Sequence, residues 1–540
     1  MIGYFKKIQR TRRFKNLRSI TRGYNILCET NRLGLVQIIM MLFINHKFLN
    51  ISSTASSIIF GKNIHRAELI TRQFLFAKLV NTKLNAAILK TIGNNSSFVF
   101  PIPAPWQRLL NQQGFRVSRL RCSILWGWFV FSHWCKGILT ILFYVYASIL
   151  EIKGKNSLKM SGSAYFISLT EINLPNPNNK ESSYDIFSWY ARWAGRPDHV
   201  VILYHDIFNA KNSMTAGLKV IPTVQPILPI SSMIGLFRFI LWAFCSFTIS
   251  AVNIVIGRWW NSLLLHEATL AAIVRHQLPD KLAQDYLFHN SSPIYRPLWT
   301  YEAEDKNSRI LFYFYSVPSA LEIIASVEKN IQFDSWNLMT WTNYLVWGDY
   351  QADFVRRYVG NNVNIQIVGP IWFSTSFNNL PELPKRTIAV FDIQPHRPIR
   401  YQVLGLPNEY YTPTMAIQFI NDIHRVIMEN NAFIAYKRKR NIGKVLHSEF
   451  ARFIQKISHS ENIINIEPDI SAISVIKQCQ AVISMPFTST AFLGSHFSKP
   501  SIFYDPLCLL KKDDTRANGI RIIAGLDELR QWCHGIYRQN

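Results

Sequence analysis

Cysteine is scarce in this chain. There are seven in 540 residues, an odd number with no C-x-x-C pair. That excludes a disulfide scaffold, argues against a structural zinc site and suits a reducing compartment. Acidic residues are also few, with 33 Asp and Glu against 59 Lys and Arg and a net charge of +26. Several signatures are missing: G-x-x-x-x-G-K-[ST], G-x-G-x-x-G, H-E-x-x-H and G-x-S-x-G. Their absence removes the usual sequence support for P-loop, dinucleotide, zinc-protease and nucleophile-elbow chemistry. Internal repeats and low-complexity tracts are lacking too.

Apolar residues make up 49% and charged residues 17%, so the chain is neither disordered nor fibrous. Its length fits three or four domains, or two large ones with an extension. The positive charge is concentrated. Residues 1–120 hold 19 Lys and Arg against two acids, Glu29 and Glu68, a local net of +17. The first 22 residues alone carry eight cations and no acid. Such a segment fits a membrane-surface tail, a nucleic-acid arm, a transit peptide or a solvated face. The apolar run Leu33–Ile44 lies too far from the start for a signal peptide and lacks a small-residue cleavage site after it. Aromatic residues are not interleaved with the N-terminal cations in a stacking pattern, which makes nucleic acid an unlikely partner.

Two apolar runs favour the membrane surface. Ser123–Leu150 is 28 residues with one Lys (Lys136) and one His (His133), and it carries Trp126, Trp128 and Trp134. Phe239–Gly257 has 19 residues without charge, between Arg238 and Arg258. Either is long enough to enter a bilayer, and either could be a buried core helix. Two full crossings would put residues 151–238 on the far side, at odds with the globular pattern of that segment. Breaks are expected near Leu174–Ser183 and Asn378–Lys385, both rich in Pro and Asn.

The second half alternates strand and helix patterns. Val200–Tyr204, Arg309–Tyr315 and Tyr344–Trp347 read as buried strands. After residue 385 the sequence gives strands at 387–393, 433–436, 462–466, 481–484 and 501–504, with helices between. Thr412 and Pro413 start one helix as N-cap and first residue, and Asp469 is expected to cap another. The expected class is therefore α/β, with parallel sheets carrying helices on both faces. Ligands on such sheets bind beyond the carboxyl ends of the strands.

At one such end stands Pro486-Phe487-Thr488-Ser489-Thr490, after the strand 481–484 and before a short helix. Three hydroxyls at a helix start suit a phosphate group, and they equally suit plain N-capping. The longer stretch SMPFTSTAFLGSHFSKPSIFYDP resembles the signature of the polysaccharide biosynthesis PFTS motif proteins. It is also similar to the nucleotide-binding half of glycerophosphate and Kdo transferases. The resemblance covers roughly residues 290–540, thins over 160–290 and is not seen before 120. Tyr295-Arg296-Pro297-Leu298-Trp299, Trp347-Gly348, Val368-Gly369-Pro370 and Thr387–Pro395 also carry it.

The resemblance implies a GT-B-like fold: two Rossmann-like parallel-sheet domains preceded by a basic, hydrophobic, mainly helical N-terminal extension. The expected division is a basic region at 1–120 and a membrane-associating segment at 121–160. An acceptor domain at 161–340 follows, with a hydrophobic helical stretch at 233–257, and then a nucleotide-sugar domain at 341–540. The implied activity is glycosyl transfer in bacterial surface-polysaccharide synthesis, from a nucleotide-sugar to a saccharide or lipid-linked acceptor. The place would be the cytoplasmic face of the inner membrane. A polyol-phosphate transferase and a non-catalytic nucleotide- or saccharide-binding scaffold are the alternatives.

Donor-binding candidates are the PFTS residues together with Lys437, Arg438 and Glu467. The run Lys437-Arg438-Lys439-Arg440 follows a buried strand and could face phosphates. Glu467 could accept ribose hydroxyls or cap a helix, and Asp505 could do the same or make an Asx-Pro turn. His205 and Asp206, closing an apolar strand, are the candidate acceptor base and its orienting carboxylate, with Asp185, Glu302 and Glu304 as rivals. No metal or cofactor is expected beyond the nucleotide-sugar co-substrate. D-x-D is missing where a GT-A enzyme would hold its ion, and cations with a helix start can neutralise a leaving diphosphate.

Overall fold

The computed structural model describes residues 2–32, 34–45, 54–80, 82–154, 160, 162–167, 186–195, 202–205, 213–215, 218–222, 226–289, 295–316, 336, 338–371, 380–404, 410–438, 443, 446–468 and 470–538. Asp185, Asp206, Asp469, residues 439–440 and the expected break Leu174–Ser183 lie outside them.

Two sheets organise the chain. The first holds β1 (Ala164–Phe166), β2 (Ile202–His205), β3 (Ser213–Thr215), β4 (Leu218–Pro222), β5 (Asp285–His289), β6 (Arg309–Tyr313), β7 (Asn343–Val346) and β8 (Asn364–Ile367). Their order is β3-β4-β2-β1-β5-β6-β7-β8. Every neighbouring pair is parallel except β3–β4.

The second sheet holds β9 (Thr387–Phe391), β10 (Phe433–Lys437), β11 (Ile463–Ile466), β12 (Ala481–Ser484), β13 (Ser501–Asp505) and β14 (Arg521–Ala524). Its order is β11-β10-β9-β12-β13-β14, all parallel. Counted within this domain the order is 3-2-1-4-5-6, the doubly wound arrangement with its topological switch between the first and fourth strands.

The strands expected from the apolar runs are present, and three differences matter. β14 was not expected. It is a four-residue edge strand that opens on the exposed Arg521, so it lacks the apolar run that marked its neighbours. The division expected at 341 falls later, because β7 and β8 extend the first sheet and Tyr344 and Leu345 are buried in the first domain's cores. In place of Asp469, Ser471 caps the helix Ala472–Gln478 by accepting from the Ile473 amide. Thr412 and Pro413 start the helix Pro413–Glu429 as the sequence predicts.

Ahead of the first sheet lie α1 (Ile2–Glu29), α2 (Leu35–Asn45), α3 (Thr54–Phe60), α4 (Ile64–Lys78), α5 (Thr82–Asn94), α6 (Ala104–Gln112) and α7 (Arg119–Lys153). Between the strands of the sheet come α8 (Ile186–Trp193), α9 (Met233–Val255), α10 (Trp260–Leu263) and α11 (Leu265–His276). The N-terminal helices share one core with the first sheet. The basic α1 also reaches the second half, where Thr21 Oγ1 donates to Gln402 Oε1 at 3.1 Å.

The two apolar runs are the helices α7 and α9, and they lie side by side and antiparallel. Ser148 near the end of α7 accepts from the Ile230 amide just before α9. Trp134 donates to Ser250 Oγ at 2.9 Å, and Trp126 meets Trp259 beyond the end of α9. Each helix has one stripe against the protein along its whole length. In α7 this is Cys122, Trp126, Val130, Gly137, Ile141, Tyr144 and Ser148, spaced three, four or seven apart as one helix face requires. The opposite faces are exposed and apolar, from Leu120 to Leu150 on α7 and from Met233 to Val255 on α9. Leu139, Leu142, Phe237 and Phe244 are each more than half exposed.

In the second domain, the helix Ser489–His496 lies hard against the sheet. A Cβ on Gly494 would stand 2.2 Å from Ser501 Oγ and 2.7 Å from Val482 Cγ2. Gly494→Ala is therefore expected to destabilise the fold by about 1–3 kcal/mol, seen as a lower melting temperature of the purified full-length protein.

Candidate functional site

The switch point of the second sheet brings the ends of β9, β10 and β12 together. Phe391 pairs with both Lys437 and Ser484, so Asp392, Arg438 and Met485 form the next row beyond the strand ends. Two bonds close that row: the Met485 amide donates to the Phe391 carbonyl at 3.0 Å, and the Ile393 amide donates to Met485 Sδ at 3.0 Å.

From Met485 the chain turns sharply into the helix Ser489–His496. Phe487 makes the turn at φ +58°, a left-handed backbone that costs a bulky residue about 1–2 kcal/mol. Its ring is buried, lies 5.7 Å from the Phe503 ring and is covered by the Arg516 guanidinium at 4.9 Å. The Pro486 carbonyl accepts from Tyr411 OH at 2.8 Å. Tertiary contacts thus hold a conformation the local sequence disfavours.

Capping does not account for the hydroxyls. Thr488 occupies the N-cap position but makes no side-chain capping bond. It donates to the Met485 carbonyl at 2.8 Å instead. Thr490 Oγ1 sits 2.8 Å from the buried Ser484 Oγ and 3.3 Å from Thr488 Oγ1. The first-turn amides are therefore not closed off by the hydroxyl ahead of them, at the positive end of the helix.

Asp392 is the residue the sequence reading missed. It ends the apolar run TIAVFDI and is 3% exposed. Tyr436 OH donates to its Oδ2 at 2.5 Å. Among the described residues its buried Oδ1 has no hydrogen-bond partner, nor has Gln394 Oε1 on the same loop. His447 flanks this loop, its amide donating to the Pro395 carbonyl at 3.0 Å, and its Nδ1 has no partner among the described residues. Burial pushes the Asp392 carboxyl up to about 6, against the opposing pull of the Tyr436 bond and the nearby Arg438 and Lys437 charges. Buried acceptors without donors cost about 1–3 kcal/mol each. Several on one loop suit a ligand that brings hydroxyl or N–H groups.

The other expected donor residues are less well gathered. Arg438 stands beside Asp392 and is half-buried. Lys437 is buried and donates to the Pro468 carbonyl at 3.0 Å and more weakly to the Arg438 carbonyl at 3.4 Å, which ties β10 to the turn after β11. Glu467 is exposed at the end of the edge strand β11. That is three places from β12, or about 14 Å at the usual strand spacing. Asp505 is consumed by structure: it accepts from Tyr410 OH at 2.9 Å and from the Leu507 and Leu510 amides.

In the first sheet, β2 ends on His205, whose backbone lies opposite Phe166 of β1. On the other side of β1, β5 ends on His289, half-buried against the rings of Tyr313 and Tyr315. Both histidines occupy carboxyl ends. Two rivals for the base are spent in ion pairs. Glu302 is buried against Arg275 at 2.6 Å, and Glu304 pairs with the fully buried Arg296, which also donates to Thr300 and the Thr340 carbonyl. Among the described residues no three His, Cys, Asp or Glu side chains gather as a metal site.

Two doubly wound parallel-sheet domains in tandem, the second with a hydroxyl-rich helix start at its switch point, define a GT-B-like α/β protein. The polysaccharide biosynthesis PFTS motif protein model matches residues 246–533, just over half of the chain. The chain belongs to that family. The match reaches back into α9, through the stretch where the resemblance seen in the sequence is thin. No curated protein matches.

Among solved structures, the chain is similar to the UDP-GlcNAc 2-epimerase from Methanocaldococcus jannaschii. The identity is 9%, the match covers 70% of this chain and 92% of that one, and the TM-score is 0.36. It is also similar to Os79 from O. sativa in complex with UDP, with 9% identity, 64% and 81% coverage and TM-score 0.33. A third is the spinosyn forosaminyltransferase SpnP, with 12% identity, 70% and 91% coverage and TM-score 0.33. At these scores the likeness adds nothing to what the two sheets establish.

Asp392 generates a pH dependence. Its carboxyl lies above the ordinary 3.8 in the folded protein, so between about pH 4 and 6 the native state binds the extra proton and stability falls as pH rises. The full effect is on the order of 3 kcal/mol. Asp392→Asn is expected to flatten that part of the melting-temperature-against-pH curve and to raise the melting temperature at pH 7.

Proposed function

We propose that the chain is a glycosyltransferase of bacterial surface-polysaccharide synthesis, moving a sugar from a nucleotide-activated donor to a saccharide or lipid-linked acceptor. The observation that carries this reading is the juxtaposition at the switch point. An uncapped helix start after Phe487 and the buried acceptors of Asp392 and Gln394 lie at the same end of the sheet, with Arg438 at the end of β10 in the row of Asp392. The diphosphate would lie on the Ser489–His496 helix start, with Arg438 as its cation. Asp392 and Gln394 would accept from ribose or base donors, the role the sequence reading gave to Glu467. As the leaving diphosphate gains charge, preorganised amides and a guanidinium stabilise it. His205, with Asp206 next to it in sequence, would take the proton of the acceptor hydroxyl as the new glycosidic bond forms.

This reading is tested by thermal stabilisation of the detergent-purified protein with a panel of nucleoside diphosphates and nucleotide-sugars. One nucleotide family is expected to raise the melting temperature. Combining Ser489→Ala with Arg438→Ala should weaken that binding by about 10–100-fold. His205→Ala should keep the shift and lose transfer. No shift with any nucleotide removes the transferase reading.

The protein would be held at the cytoplasmic face of the inner membrane, with the outward faces of α7 and α9 in one leaflet and the basic N-terminal helices toward anionic head groups. Support comes from the stripe on each helix that packs against the protein from end to end, which leaves one apolar side for lipid. The full-length protein is expected to float with anionic phospholipid vesicles. Leu142→Glu combined with Phe244→Glu should leave most of it in the soluble fraction, and unchanged flotation of that variant would reject the assignment.

A further inference from the structure

At the flank of α7 away from α9, a cavity of about 360 Å³ opens between α7 and α11. Its walls mix two chemistries. Leu139, Phe143 and Leu270 line it with apolar surface, and Lys136, Thr140 and His266 bring polar groups into it. Leu139 is 66% exposed and Phe143 49%, and both belong to the outward apolar face of α7. The mouth therefore lies at the edge of the surface assigned to the bilayer.

The backbone crossing fixes the cavity. A Cβ on Gly137 would meet the Leu265 side chain at 2.7 Å and the His266 amide at 2.9 Å. Only glycine lets α7 and α11 approach this closely, one residue along from Lys136. His266 Nδ1 lies 2.7 Å from Thr140 Oγ1, which orients the ring and the hydroxyl together. Lys136 makes no ion pair among the described residues and has only Glu267 as a nearby acid. Positive groups converge here: burial first, then Lys136, Lys78 and His133, push the His266 imidazole down to about 4. A lysine kept on the flank of a membrane-facing helix is expensive unless it meets an anion, and with the Thr140 hydroxyl donating to Nδ1 the ring keeps its Nε2–H to donate to one.

We infer that this cavity binds the phosphate head of a long-chain membrane lipid. Lys136 would serve as counter-charge, the His266 Nε2–H would donate while its Nδ1 accepts from the Thr140 hydroxyl, and the chain would run along Leu139 and Phe143 into the bilayer. The inference rests on the membrane reading given above and supplies the anionic-lipid class to which its acceptor or anchor belongs. No bond is made or broken in the binding step.

The test uses full-length protein in neutral detergent with three probes: hexadecyl phosphate, hexadecanol and inorganic phosphate. Thermal stabilisation is expected with hexadecyl phosphate only. Lys136→Gln should weaken that binding about tenfold or more, and Leu270→Trp, which fills the cavity, should abolish it. The stabilisation by a nucleoside diphosphate should be unchanged in both variants, which also shows that they fold. Equal shifts with hexadecanol would mean a purely apolar groove, and equal shifts with inorganic phosphate would mean an ordinary anion site. Either result, or undiminished hexadecyl phosphate binding in both variants, overturns the inference. Loss of nucleotide binding in the wild-type protein with hexadecyl phosphate binding intact would sink the transferase reading and leave the lipid site standing.

Discussion

The second domain depends on one pairing, that of β9 with β12. These strands are neighbours in the sheet but about ninety residues apart in sequence, and Phe391 lies opposite Ser484. Chain order reverses between them, so no helix crosses the gap above their carboxyl ends. Into that gap the two strands deliver different chemistry: a buried carboxylate from β9 and a helix start from β12. Neither is a phosphate or nucleotide site alone. Helix starts of this kind are common, and a buried aspartate with one tyrosine partner is only a cost. The parallel register brings both to the same end of the sheet.

Much of this was legible in the residues. The short apolar runs separated by helical periodicity specified parallel strands, because a strand covered on both faces has no reason to alternate. The hydroxyl cluster after AVIS stood out as a phosphate site or a plain N-cap, and the structure shows Thr488 at the N-cap position without a side-chain capping bond. Asp392 escaped notice because nothing in TIAVFDI distinguishes an acid that reaches solvent from one that is sealed in. Only the position of Tyr436 on the neighbouring strand decides that. Lys437 and Glu467 were favoured by type and by strand end, but a strand end is a place in one dimension. The sheet order moves Glu467 to the rim, and the turn after β11 draws Lys437 toward the Pro468 carbonyl.

The helical part shows the same limit from another side. Composition alone allowed α7 and α9 to be bilayer spans or core helices, and the structure makes each of them half of both. Their inward stripes join the core of the first domain, and their outward faces are exposed among the described residues. A hydropathy average cannot see that division, because both faces are apolar. What separates them is the partners waiting for them: the inward side includes small or hydrogen-bonding groups such as Gly137, Ser148 and Ser250 among its large apolar residues, and the outward one carries bulky side chains such as Leu142 and Phe244.

The left-handed Phe487 carries a consequence for how this protein would fail. Its backbone is held by a ring stacked near Phe503 and beneath Arg516, residues that belong to β13 and to the turn leading into β14. The geometry of this helix start is therefore set by residues that follow it in the chain. The turn cannot close before β13 and the turn that carries Arg516 are in place. Lesions at Phe503 or Arg516 would present as a displaced start of the Ser489–His496 helix in a domain that is otherwise folded.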